Sequence, residues 1–176
     1  MGRSRGGLST KIHAATEALG LPVRLLASPG QRNDIAFAHD LIEGIDATAT
    51  IADKGYDADH LAGRIADGGA EVVIPPKRNR RVQRAYDADL YKERNRIERF
   101  FNKLKQFRRV ATRYDKLLAN FMGFVKNRGQ ALGALAEVDR LRRDHDADRA
   151  GRADHDPAFN APSTAAIVTG EAPFSI

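Results

Sequence analysis

Along the first half of the chain the apolar positions switch between an alternating and a helical period, and the switching predicts an α/β order of elements. Ser9 to Glu17 and Leu21 to Ala27 read as the two strands of a hairpin turned through Ala18-Leu19-Gly20, with Ser28-Pro29-Gly30 ending the second strand. Asn33 or Asp34 is placed to cap a helix running to about Glu43. A short β-prone run, Ala47 to Ala52, ends at Asp53 and turns through Lys54-Gly55-Tyr56. Asp57 or Asp59 then caps a helix with apolar positions at Leu61, Ala62 and Ile65, which stops at Gly68-Gly69. Glu71 to Ile74 is another short strand, closed by Pro75-Pro76.

Beyond the basic loop Lys77 to Arg84, the pattern predicts a long helix from about Ala88 to Arg109 and a further helix from Tyr114 to about Arg140. Placed on a wheel at about 100° per residue with Tyr91 at 0°, Arg94, Glu98 and Lys105 fall at about 300°, 340° and 320°. These four groups therefore share one narrow face. Ile97, Phe100, Phe101, Leu104 and Phe107 make an apolar stripe beside it, so Glu98 belongs at the edge of the buried surface. An acid among Arg94, Arg99 and Lys105 would ordinarily be a salt-bridge partner. Asp53 changes that reading, because it ends a strand at the place where α/β sheets gather their ligands.

The chain has 176 residues, enough for one domain with a sizeable core, and its 42% hydrophobic and 30% charged residues are those of a globular protein. The absence of cysteine excludes disulfides, thiol nucleophiles and thiolate metal sites, so a metal here must be held by oxygen or imidazole. No stretch is long and apolar enough to span a bilayer, and no apolar run follows the basic residues of the first seven positions. The expectation is a chain of the cytosol. Charge is unevenly spread: Lys77 to Lys116 holds 15 Lys/Arg against 5 Asp/Glu, a net of about +10, whereas the whole chain carries +6. A same-sign excess of that size repels itself unless a polyanion meets it, which points to nucleic acid as partner rather than to a merely solvated helix.

The run from Tyr91 to Lys105, Tyr91-Lys92-Glu93-Arg94-Asn95-Arg96-Ile97-Glu98-Arg99-Phe100-Phe101-Asn102-Lys103-Leu104-Lys105, resembles the Y-(2)-R-(3)-E-(6)-K signature of bacterial insertion-sequence DDE transposases, with the spacing met at all four positions. The stretches from Gly2 to His13, Ala52 to Asp57, Val73 to Lys77 and Arg108 to Lys116 are similar to that family too, so the resemblance covers about residues 2 to 130. It implies a ribonuclease-H-like mixed sheet with flanking helices. It also implies that Asp53 is the second and Glu98 the third catalytic acid, and that both are metal ligands. Tyr91, Arg94 and Lys105 would hold the DNA end. The activity implied is cleavage at the ends of a transposable element and attack of the freed 3′-hydroxyl on target DNA. Such phosphodiester transfer suits two Mg2+ ions held by carboxylates about 4 Å apart.

The first acid of the family's triad is expected on a central strand upstream of Gly2, so the expectation is a catalytic domain over residues 1–136 that lacks this strand. Asp34, the one early acid in a loop, fits a helix cap better than a substitute ligand. A truncated gene, or a downstream reading frame fused to an upstream transposase segment by ribosomal frameshifting, would each account for it. The complete enzyme would be a homo-oligomer. Residues 137–176, rich in Asp, Ala, Arg, Pro and Gly, read as a disordered tail, and the triplets Asp144-His145-Asp146 and Asp154-His155-Asp156 as chance repeats within it. His13, His39 and His60 carry no legible chemistry, and His13 in a strand is expected to be packed. Gly7-Leu8-Ser9-Thr10-Lys11 lacks the residue order of a phosphate loop. The rivals to a transposase are a non-catalytic DNA-binding protein, which needs no metal, and a chain that folds only within a larger transposase assembly.

Overall fold

A computed structural model describes residues 2–4, 7–112, 115–149 and 165–170. The expected hairpin is formed by β2 (Gly7–Thr16) and β3 (Pro22–Pro29), paired antiparallel from Thr10↔Pro29 to Thr16↔Pro22. Its turn passes through Gly20 at φ 83°, a left-handed conformation that a residue with a Cβ adopts at a cost. β1 (Gly2–Ser4) pairs antiparallel with the start of β2. β4 (Ala49–Ala52) and β5 (Glu71–Val73) run parallel, joined by the helix α2 (Asp59–Asp67) in the manner of a βαβ unit. Between β2 and β4 lies β6 (Ala165–Gly170), antiparallel to β2 and parallel to β4. The sheet order is therefore β1-β2-β6-β4-β5, with β3 also on β2.

Helices cover both faces of this mixed sheet. Ala15 and Ala52 turn to one face, where they pack with Leu41 of α1 (Ala38–Ile42) and with Leu61 and Ile65 of α2. Ile12 and Ala14 turn to the other, against Ile97, Phe100, Phe101 and Leu104 of α4 (Asn95–Lys105), Val110 of α5 (Arg108–Ala111), and Phe121 and Val125 of α6 (Leu118–Arg149). Ala49, Ile51 and Val73 meet Tyr86 together with Leu90 and Tyr91 of α3 (Ala88–Tyr91) in a smaller cluster. The strict alternation of Ala14 with Ala15 and of Ile51 with Ala52 is the period of two that places successive side chains on opposite faces.

Several elements depart from the sequence expectation. The first helix is a 3-10 turn, Asp34–Phe37, followed by the short α1; Asn33 precedes it without a side-chain cap, and Asp34 instead meets the Lys11 ammonium at 3.0 Å. The residue before α2 is Ala58, so neither Asp57 nor Asp59 caps that helix. The long helix expected over Ala88 to Arg109 is broken into α3, a 3-10 turn at Lys92–Arg94, α4 and α5. The last helix, α6, begins at Leu118 and runs past its expected end near Arg140 to Arg149, and residues 165–170 form β6, so part of the stretch 137–176 expected to be disordered is helix and strand. Asp154-His155-Asp156 lies outside the described residues. No helix among the described residues is long and apolar enough to cross a membrane.

Candidate active site

Asp53 follows directly on β4, with its backbone extended (φ −68°, ψ 157°) before the 3-10 turn Lys54–Tyr56. Ile51, two residues earlier, belongs to the cluster that seats Tyr91, and this packing brings the α3 segment beside the end of β4. The chain then passes through the 3-10 turn Lys92–Arg94 before α4 begins, and Arg94 at the end of that turn faces the strand end.

The result is a convergence of four predicted residues. The Arg94 guanidinium donates to a Glu98 carboxylate oxygen at 2.6 Å, one helical turn on, and its other terminal nitrogen stands 3.9 Å from an Asp53 carboxylate oxygen. The same guanidinium lies over the Tyr91 ring, 5.6 Å from its centroid. Burial pushes the Tyr91 phenol above its ordinary pKa; Arg94 opposes that rise, and Asp53, Tyr86 and Glu98 add to it. The side chains of Asp53 and Glu98 keep 37% and 47% of their exposure, so both carboxylates remain open to a solute. Lys105 is exposed at the last residue of α4, about 10 Å further along the helix axis than Glu98, and extends the cationic face rather than joining the cluster.

Two oxygen-donor carboxylates facing one cation are, in kind, the donors that a hard divalent metal takes. They are few for a two-metal site. Among the described residues no group of three His, Cys, Asp or Glu side chains converges. Asp34, the early acid weighed as a substitute ligand, is engaged by Lys11 as noted above.

The basic loop carries a feature that the sequence did not reveal. Asp57 has only 1% of its side chain exposed, and its carboxylate accepts from the Lys77 backbone N–H at 2.8 Å and from the Arg80 guanidinium at 2.8 Å. Arg80 also pairs with Asp59, to which Arg84 donates at 2.8 Å. Two of the loop's arginines are thus turned inward to hold the loop onto the start of α2. Arg78 and Arg81 remain exposed beside them. The signal for this clamp is separated by more than twenty residues of chain, so no local pattern could disclose it.

His13 is fully buried, as expected of a packed strand residue. Its Nε2 lies 2.7 Å from the Ser28 hydroxyl and its Nδ1 3.4 Å from the Tyr56 hydroxyl, and the ring stacks on Phe37. Burial lowers its pKa to about 4, so it is neutral at pH 7. His39 of α1 and His60 of α2 stack on each other, Nε2 to Nδ1 at 2.7 Å.

Comparison with known proteins agrees in one direction. Residues 2–126 match the family described as transposase DDE domain. A Brucella ovis protein provisionally named a transposase for insertion sequence element IS6501 is 44% identical over 122 residues, covering 67% of this chain and 92% of that protein. No solved structure matches the chain.

Proposed function

This chain belongs to the transposase DDE domain family, and from that premise we propose that Asp53 and Glu98 are two of the acids of a metal-dependent DNA strand-transfer site. The observation that carries the reading is their convergence on Arg94, at 3.9 Å and 2.6 Å, from a strand end and a helix that lie far apart in sequence. On this reading the sheet is ribonuclease-H-like, with Asp53 at the exit of a parallel strand and Glu98 on the helix that packs across it.

Asp53 and Glu98 would hold Mg2+, with water, DNA and an acid from elsewhere completing its shell. When bound, such an ion activates the attacking oxygen and stabilises the leaving one in phosphodiester transfer. Arg94 pairs with Glu98 and stands beside Asp53, and its planar fork is suited to a phosphate of the DNA. Tyr91 shields one side of that guanidinium and sets its direction. Lys105, Arg78 and Arg81 add cationic surface on which the backbone of the element end is drawn in. The substrates are therefore element ends and target DNA, handled in the cytosol.

A second reading is a DNA-binding chain without catalysis, in which the 2.6 Å pair leaves Glu98 as no more than a partner for Arg94. DNA binding is common to both readings and is tested by fluorescence anisotropy on duplex DNA at several salt concentrations. Arg94→Ala and Lys105→Ala are each expected to weaken binding and to reduce the salt slope by about 1. Affinity unchanged in both variants at fixed salt would remove them from the DNA surface. Metal-dependent cleavage separates the two readings.

A further inference from the structure

Two of the five histidines in the chain meet across the gap between α1 and α2. His39 is the second residue of α1 and His60 the second residue of α2. Their Nε2 and Nδ1 atoms stand 2.7 Å apart while the ring centroids are 4.9 Å apart, so the two nitrogens face each other between the rings. In a neutral imidazole one ring nitrogen carries a hydrogen and the other a lone pair. A contact this short therefore holds one proton at the point to which both nitrogens are directed. His60 is exposed and His39 partly so, and solvent reaches that point. The two helices are anchored beneath it: Ala38 and Leu41 of α1 and Leu61 and Ile65 of α2 belong to the buried apolar layer, which fixes the spacing of the pair. Asp59, the acid next to His60, is held by Arg80 and Arg84 instead.

We propose that His39 and His60 form a bidentate site for a late first-row transition-metal ion, Zn2+, Ni2+ or Cu2+, which takes the place of the shared proton. Imidazole suits these ions, whereas Mg2+ and Mn2+ favour carboxylate and water. The site is thus chemically distinct from the pair Asp53 and Glu98. With metal–nitrogen bonds of about 2.0–2.1 Å and a tetrahedral angle, the two nitrogens would stand about 3.4 Å apart. From 2.7 Å the pair has to open by about 0.7 Å, a movement within reach of side-chain rotation at the surface. Among the described residues no third His, Cys, Asp or Glu joins the pair, so water completes the shell and the ion stays exchangeable. In chain order α1 precedes β4 and α2 follows it, so the ion clips together the two helices that flank the strand ending at Asp53. The inference stands whether or not Asp53 and Glu98 are catalytic.

The chain has no cysteine to compete for such an ion, and His13 is fully buried against Ser28 and Tyr56. Substituting His145→Ala and His155→Ala therefore leaves His39 and His60 as the two accessible imidazoles of the full-length chain. In that background, isothermal titration with Ni2+, in excess Mg2+ to occupy carboxylates, is expected to show one ion bound per chain. Loss of even a hydrogen-bond partner of a ligand lowers metal affinity by about tenfold or more. His39→Ala and His60→Ala are each expected to weaken Ni2+ binding by at least that factor. A smaller loss in either variant would overturn the proposal, because a lone surface histidine depends on one substitution and not on the other. Electron paramagnetic resonance of the Cu2+-loaded chain gives a reading that a folding defect does not imitate: two imidazole nitrogens are expected on the copper, and a single one would contradict the site.

Discussion

Asp53 and Glu98, from a strand end and a helix, stand on either side of one guanidinium, that of Arg94. Arg94 pairs with Glu98 at 2.6 Å and stands 3.9 Å from Asp53, so a divalent cation taken up by the two carboxylates would compete with its guanidinium. Arg94→Ala should therefore leave a site with a higher affinity for Mn2+ or Mg2+, by several-fold, even as its affinity for DNA falls. Isothermal titration with Mn2+ checks this, and weaker metal binding in the variant would mean that Arg94 does not compete for the carboxylates. The effect on folding should be small, under about 1 kcal/mol, since both acids are partly exposed.

The buried Asp57 should matter more to stability than to chemistry. Asp57→Ala strips the Lys77 N–H of its acceptor and leaves the Arg80 guanidinium with Asp59 as its remaining carboxylate partner. A loss of about 3 kcal/mol is expected in urea denaturation, the usual scale for breaking a buried charged pair. Amide exchange should rise through residues 77–84, and a stable variant with an unaltered loop would contradict the clamp.

The burial of neutral His13 makes stability depend on pH. Folded His13 titrates at about 4 and the unfolded side chain at about 6.5, so the unfolded state takes up more protons between those values. This contribution to stability is complete above pH 6.5, falls as the pH drops, and is lost at about pH 4. The loss amounts to about 3 kcal/mol at roughly 1.4 kcal/mol per pH unit. Denaturation at pH 7 and pH 4.5 should show the decline in the natural chain and a smaller one in His13→Asn. Equal declines would place the proton uptake elsewhere.

Leu104 is fully buried in the cluster that joins α4 to Ile12, Ala14 and α6. Leu104→Ala is expected to cost about 3 kcal/mol. Because the same helix carries Glu98, the variant should also loosen the candidate site, seen as weaker Mn2+ binding at temperatures below its melting transition. Full stability would mean that α4 is not anchored through this residue.

Much of the fold was legible because local pattern and tertiary packing agree. The hairpin, β4 ending at Asp53, the apolar face of α2 and the buried stripe of α4 each follow from periodicity. The candidate site residues were singled out mainly by their spacing; Glu98 and Lys105 lie on α4 as expected, whereas Arg94 lies on the 3-10 turn before it. Lys92-Glu93-Arg94 are good helix formers, and nothing in their local pattern marks the 3-10 turn that follows Tyr91, whose ring packs on the β4–β5 cluster. Asp57 was misread as a cap because its true partners lie on the loop Lys77–Arg84. β6 was passed over because a strand of six small and β-branched residues sits in a polar, Pro- and Gly-containing stretch, and its reason for being a strand is the two edges that flank it.

The central claim is that Asp53 and Glu98 serve one metal-dependent reaction on DNA. Its most direct test is Mg2+-dependent cleavage of DNA bearing the element's ends, by the chain as it stands and joined to an upstream transposase segment, each with and without Asp53→Ala or Glu98→Ala. The account predicts cleavage by the joined protein that either substitution abolishes while DNA binding persists. Metal-dependent cleavage that survives in both variants would contradict it.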